Sequence, residues 1–193
     1  MNTRDPRYVR AEAALQKAFL ELFSRDRIEA ITVSQIIASA HVNRSTFYEH
    51  YRDKYDLLDS TERGFLSDLE QELRASPAAR TLAGEHVDEG GLRDYYRHLV
   101  SFLLARRELV TGLTANDRNR FMVGFSKAME HVLVSTNAVD SHSSSFHYDI
   151  VGFTWMSTGV ICEWVHRDFD EEEGAFVEML VRHGSALLLA LQT

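Results

Sequence analysis

Seven of the eight residues from Asn43 to His50 carry hydrogen-bonding side chains, namely Asn43, Arg44, Ser45, Thr46, Tyr48, Glu49 and His50, and the exception is Phe47. On a helix, Val42 and Phe47 would anchor such a segment to a core and leave amide, guanidinium, hydroxyl and phenol groups outward. That mixture suits base edges and phosphate oxygens in a DNA major groove, where neutral donors and acceptors read sequence and cations bind the backbone.

Catalytic chemistry has weaker support. Glu163 and His166 form one Glu-x-x-His pair, but a di-iron bundle needs two such pairs and two further glutamates on facing helices, and no second pair occurs. His142 and His147 flank a serine-rich stretch and lack the spacing of a structural zinc site. There is no glycine-rich phosphate loop and no Gly-x-Ser-x-Gly elbow. The single cysteine, Cys162, excludes a cysteine dyad, an intrachain disulfide and a multi-cysteine metal site, and reads as a small buried filler. An enzyme is not expected, and neither a cofactor nor a metal.

The elements that must present the polar segment are helical. Only Pro6 and Pro77 interrupt 193 residues, and apolar positions recur at three- and four-residue spacing without sustained alternation. Leu15, Phe19, Leu22 and Phe23 share one face of a first helix. Thr32 caps a short second helix bearing Val33, Ile36, Ile37 and Ala40, and after a break at His41-Val42, Asn43 caps a third that runs to His50. Two short helices joined by so tight a turn form a helix-turn-helix. Neither is stable alone, so the longer helices around them must hold the pair. Asp53 caps a fourth helix that continues through Leu58, Phe65, Leu69 and Leu73 toward Pro77. The stretch 76–91, with Pro77, Gly84, Gly90 and Gly91, reads as a linker, and 135–145 as a second loop. Later helices are expected at about 92–106, 116–135, 146–167 and 171–191.

The sequence from Thr32 to Leu58, TVSQIIASAHVNRSTFYEHYRDKYDLL, resembles the DNA-binding signature of TetR regulators. The likeness covers roughly residues 8–60. Thr46-Phe47-Tyr48, His50-Tyr51 and Lys54-Tyr55-Asp56-Leu57-Leu58 are similar to the subgroup that includes dihydroxyacetone-kinase-operon regulators, and Trp164 with the acidic run Asp170 to Glu173 suits it. The resemblance implies an all-α chain of about nine helices. A DNA-binding unit over 1–55 would join a ligand-binding and dimerisation bundle over 56–193. It implies a cytoplasmic, homodimeric regulator, expected to be a repressor, that binds a near-palindromic duplex operator and answers to an unknown small-molecule effector. A regulator or activator that needs no ligand and works through a protein partner is the alternative. Arg44, Ser45, Thr46, Tyr48 and His50, with Asn43 at their start, would face the operator; Lys54 would contact a phosphate, and Thr32 would combine cap and phosphate ligand. The turn departs from the family, which usually has glycine where this chain has His41, a residue that tolerates left-handed backbone.

The charge distribution permits this reading without arguing for it. The formal charge is −8, yet residues 1–60 hold nine basic and nine acidic residues, so the whole excess lies in 61–193. No run of about 18 apolar residues occurs, so no membrane span is expected. In the second half, Phe102, Phe121, Met122, Phe125, Met129, Phe153, Trp155 and Met156 are candidates to line an effector cavity, although a closed core would use the same residues. Glycines inside apolar helices, Gly152, Gly159, Gly174 and Gly184, suggest close helix approach. A dimer interface is expected at Gly152, Gly159, Trp164, Phe176, Leu180, Gly184 and Leu187.

Overall fold

The computed structural model describes residues 5–75, 89–135 and 146–190. Most of the expected linker and of the loop at 135–145, with His142, lie outside these residues.

The Asp5 carboxylate accepts from the Arg7 amide at 2.8 Å and Pro6 fills the first turn, which starts α1 (Pro6–Phe23). Leu15, Ala18, Phe19 and Phe23 are its buried face. The following loop drops Ile28 and Ile31 into the same core. Thr32 and Gln35 then close a capping box on α2 (Val33–Ala40): the Thr32 hydroxyl accepts from the Gln35 amide, and the Gln35 side chain accepts from the Thr32 amide at 2.8 Å. His41 ends α2 in the left-handed region, with φ 53° and ψ 38°, so the turn keeps the geometry that glycine usually supplies. Asn43 caps α3 (Arg44–His50), whose Phe47 is fully buried. The Asp53 carboxylate accepts from the amides of Tyr55 and Asp56 and starts α4 (Lys54–Ala75).

The second half comprises α5 (Glu89–Leu104), α6 (Arg107–Asn116), α7 (Arg118–Ser135), α8 (Phe146–His166) and α9 (Glu173–Ala190). The described residues thus contain nine helices and no strand, and the fold is all α. α5 packs along α9, α7 along α8, and α4 along α7. Helix α6 falls where the periodicity indicates none. It buries only Val110 and Leu113, and Gly112 interrupts it. Gly112 has a packing reason, since a methyl there would sit 2.7 Å from the Phe23 ring. The end of α1 is therefore seated on α6.

Two expectations about the second half are corrected. Trp164, Phe176 and Leu180 are buried inside the chain and leave no face for a second subunit. Trp164 stacks on Phe176 at 4.0 Å between centroids, and its indole donates to the Glu171 carbonyl. Gly184 does serve close approach, but within the subunit, where an added Cβ would lie 3.0–3.1 Å from Tyr96, Leu92 and Phe153. Trp155 is not among the buried aromatics of the core, being 42% exposed on the outer face of α8. It shares that face with Gly152, which is exposed, and Gly159, which is half-buried, and each glycine has open space beside it. Leu187 is half-buried.

Phe102, Phe121, Phe125, Met129 and Phe153 are buried, and Met122 and Met156 half-buried. Phe65 on α4 meets Phe102 and Phe121 at 5.4 and 5.9 Å, so these aromatics form a packed column continuous with α4. Clefts of about 410 and 490 Å3 lie elsewhere, one between the end of α1 and α6, the other beside α3.

Candidate nucleic-acid interface

Phe47 fixes the orientation of α3. With its ring in the core, Asn43, Arg44, Ser45, Tyr48 and Glu49 are exposed and Thr46 is half-buried. The Asn43 side-chain oxygen Oδ1 accepts three bonds, from the Thr46 amide at 2.7 Å, the Thr46 hydroxyl at 2.9 Å and the Ser45 hydroxyl at 2.6 Å. Both hydroxyl protons are thus turned back into the cap, which leaves Ser45 and Thr46 to act outward as acceptors and Asn43 to offer its amide N–H groups. Asn43→Ala removes the shared acceptor and is expected to cost about 1 kcal/mol in urea unfolding, with Asn43→Ser recovering part of it.

One turn apart, Arg44 and Tyr48 form the most prominent exposed pair. The guanidinium lies 5.6 Å from the Tyr48 ring centroid and donates to its hydroxyl at 3.4 Å. Held against the ring, the guanidinium is pre-oriented toward an acceptor such as the guanine edge, and the phenol adds an apolar face.

Two expected contacts turn inward. The Lys54 ammonium donates to the carbonyls of Ile28 at 2.7 Å, Glu29 at 3.1 Å and Ile31 at 2.7 Å. Its three protons are spent on the α1–α2 loop, so it staples that loop to α4 and has no donor left for a phosphate. His50 packs its ring on Tyr8 of α1 at 3.8 Å between centroids, with Nδ1 buried and unpartnered, and so faces α1 rather than outward. The Thr32 hydroxyl also spends its proton locally, on Gln35 Oε1 at 2.8 Å.

Desolvation lowers the His50 pKa below its usual 6.5, against the upward pull of Glu12 and Glu49. As pH falls through 6.5, the unfolded imidazole binds a proton before the folded one does. Stability is therefore expected to decline from 6.5 down to the lowered native value and then to level off. Thermal midpoints across that window should show the slope in the wild type and lose it in His50→Phe.

Two exposed residues complete the surface without having been candidates. Tyr55, at the start of α4, is 50% exposed and lies beside the Lys54 ammonium. Arg52, between α3 and α4, pairs with Asp56, whose carboxyl is held below its usual range by the Arg52 backbone amide and guanidinium. Their signal in the sequence is position, since both flank the N-terminus of α4, which residue type alone does not reveal.

A tight helix-turn-helix whose second helix shows a polar face, held by α1 and by the Lys54 staple of α4 on an all-helical body, has the architecture of a helix-turn-helix unit. Residues 16–61 match the model of the family described as bacterial regulatory proteins, tetR family, so the likeness to that family lies in this unit. The chain is similar to an HTH-type transcriptional regulator, YxbF, of Bacillus subtilis (strain 168), at 44% identity over 57 residues. That match covers 29% of this chain and spans only 15% of the relative's length. Among solved structures, a tetR-family regulator from Streptomyces coelicolor superimposes with a TM-score of 0.71 at 15% identity, over 93% of this chain and 83% of that one. The dihydroxyacetone kinase operon activator DhaS does so with a TM-score of 0.60 at 18% identity, over 94% and 97%. At such identities the likeness is one of fold. Among the described residues no helix is long and apolar enough to cross a membrane, and no cluster of three or more His, Cys, Asp and Glu side chains is placed to hold a metal.

Proposed function

We propose that the chain is a dimeric, sequence-specific transcription regulator that reads duplex DNA with α3 and whose operator affinity is set by a small molecule bound in its second half. The observation that carries the DNA reading is the division of α3 into a fully buried Phe47 and an exposed Asn43, Arg44, Ser45 and Tyr48. Residues 1–55 would bind DNA, and 56–193 would dimerise and hold the effector. For dimerisation the support is α8, an apolar-rich helix with Trp155 and Tyr148 exposed on its outer face. Two-fold pairing there would present two copies of α3 to a near-palindromic site.

For ligand control the support is the bracing of α4. Arg120 on α7 bridges Asp59 at 2.6 Å and Glu62 at 2.9 Å, and His131 on α7 meets Glu70 at 3.0 Å. Burial raises the Glu62 pKa, and Arg120 opposes that shift. A shift of α7 would be carried to α4 and thence to the spacing of the recognition helices. An effector acts only through unequal affinity for the two arrangements.

Selection of binding sites from random duplex DNA, with wild type beside Tyr48→Ala, tests the reading. A near-palindromic consensus that the variant loses is the expected result. Absence of any consensus would overturn it in favour of recruitment by a protein partner.

A further inference from the structure

The outermost ridge of α3 carries a negative charge where a phosphate-facing surface calls for positive or neutral groups. An α-helix turns about 100° per residue, so with Phe47 seated in the core the positions opposite it are Ser45 and Glu49, one turn apart. Both are exposed. The Glu49 carboxylate makes no ion pair or hydrogen bond with any described residue. Arg44 and Tyr48, held together, form the stripe beside this ridge.

A carboxylate turned toward a duplex is repelled by the phosphates, and it weakens binding on every sequence unless a base offers it a donor. In the major groove the donors are the amino groups of cytosine and adenine, while guanine and thymine offer none. Adenine holds its amino group beside N7, an acceptor that would face the second carboxylate oxygen. Cytosine holds its amino group beside an apolar C5–H, so it satisfies one oxygen and repels neither. Ser45 repeats the preference, because its hydroxyl proton is spent on Asn43 Oδ1 at 2.6 Å and its lone pairs face outward. Two acceptors on the ridge with a guanidinium beside them complement a G·C pair, whose guanine edge accepts and whose cytosine donates.

We propose that Glu49 is a specificity residue that accepts from the amino group of a cytosine in each half-site and disfavours the other three bases there, while weakening binding to DNA in general. This rests on the DNA reading above and deepens it by naming a base.

Glu49→Gln is the test, since it keeps the shape of the side chain, removes the charge and touches nothing in the core. Sites are selected from random duplex DNA with both proteins, and affinities are then measured for the wild-type consensus and for duplexes with each base pair exchanged in turn. The wild type is expected to require cytosine at one position per half-site, with about a tenfold loss on exchange there. In Glu49→Gln that requirement should relax to admit adenine, which a glutamine amide pairs through N6 and N7, and affinity for unrelated duplex should rise.

A wild-type consensus with no such cytosine would overturn the proposal and leave the DNA reading intact. So would an unchanged consensus in the variant, whether affinities rise equally on all sequences, as for a charge that only repels phosphates, or do not move, as for one that faces water. No consensus even with the wild type would remove the DNA reading and the proposal together.

Discussion

Lys54→Met is expected to lower the unfolding free energy by about 3 kcal/mol, a large part of the 5–15 kcal/mol typical of a whole domain. The loss follows from three charge-assisted bonds, to the carbonyls of Ile28 and Ile31, which are partly shielded from water, and to that of Glu29, which is exposed. Removing the ammonium leaves three acceptors in a short loop whose isoleucines plug the core. Arginine is a poor substitute, since a planar fork cannot cap three converging carbonyls as a compact ammonium does. Equilibrium urea unfolding reads the loss. The same variant separates stapling from phosphate contact, because a lost phosphate ligand makes the salt dependence of DNA binding shallower by about one unit of slope. Stapling predicts lower stability with the slope unchanged. Wild-type stability with a shallower slope would return Lys54 to the DNA surface.

Trp155→Glu is expected to weaken dimerisation by about a thousandfold, on the scale of a central tryptophan whose loss costs about 2 kcal/mol, counted once per subunit. The indole is exposed beside Gly152 and Gly159 and makes no part of the subunit core, so the fold should be retained. Sedimentation velocity over a dilution series measures the shift, and affinity for a two-half-site operator should fall with it while a half-site is bound as before. A variant that remains dimeric would place the interface on another face.

The two tryptophans show where the sequence was legible and where it was not. Thr32, Asn43 and Asp53 were readable as caps because a cap is local, closing bonds within three residues. Phe47 was readable as the anchor of α3 because it is the one apolar residue in a polar run, and His41 because left-handed backbone admits few residue types. On α8 this logic had no purchase. A helix so rich in apolar residues does not say which side is inside, and so Trp155 and Trp164 were each assigned the other's kind of surroundings.

Lys54 and His50 failed for a different reason. The partners of Lys54 lie 23–26 residues back and that of His50 on another helix, and a flexible or amphipathic side chain chooses between water and such partners only in three dimensions. Helix α6 escaped notice because two buried residues and a glycine leave no periodicity to detect.

The seating of Phe23 on Gly112 gives the N-terminal helices a second mounting point besides the Lys54 staple. A unit hung from two points keeps one easy rotation, about the axis that joins them. A displacement of α4 relative to α6 would then turn the recognition helix about that axis, with the lever arm from Phe23 to Tyr48 setting how far its tip travels.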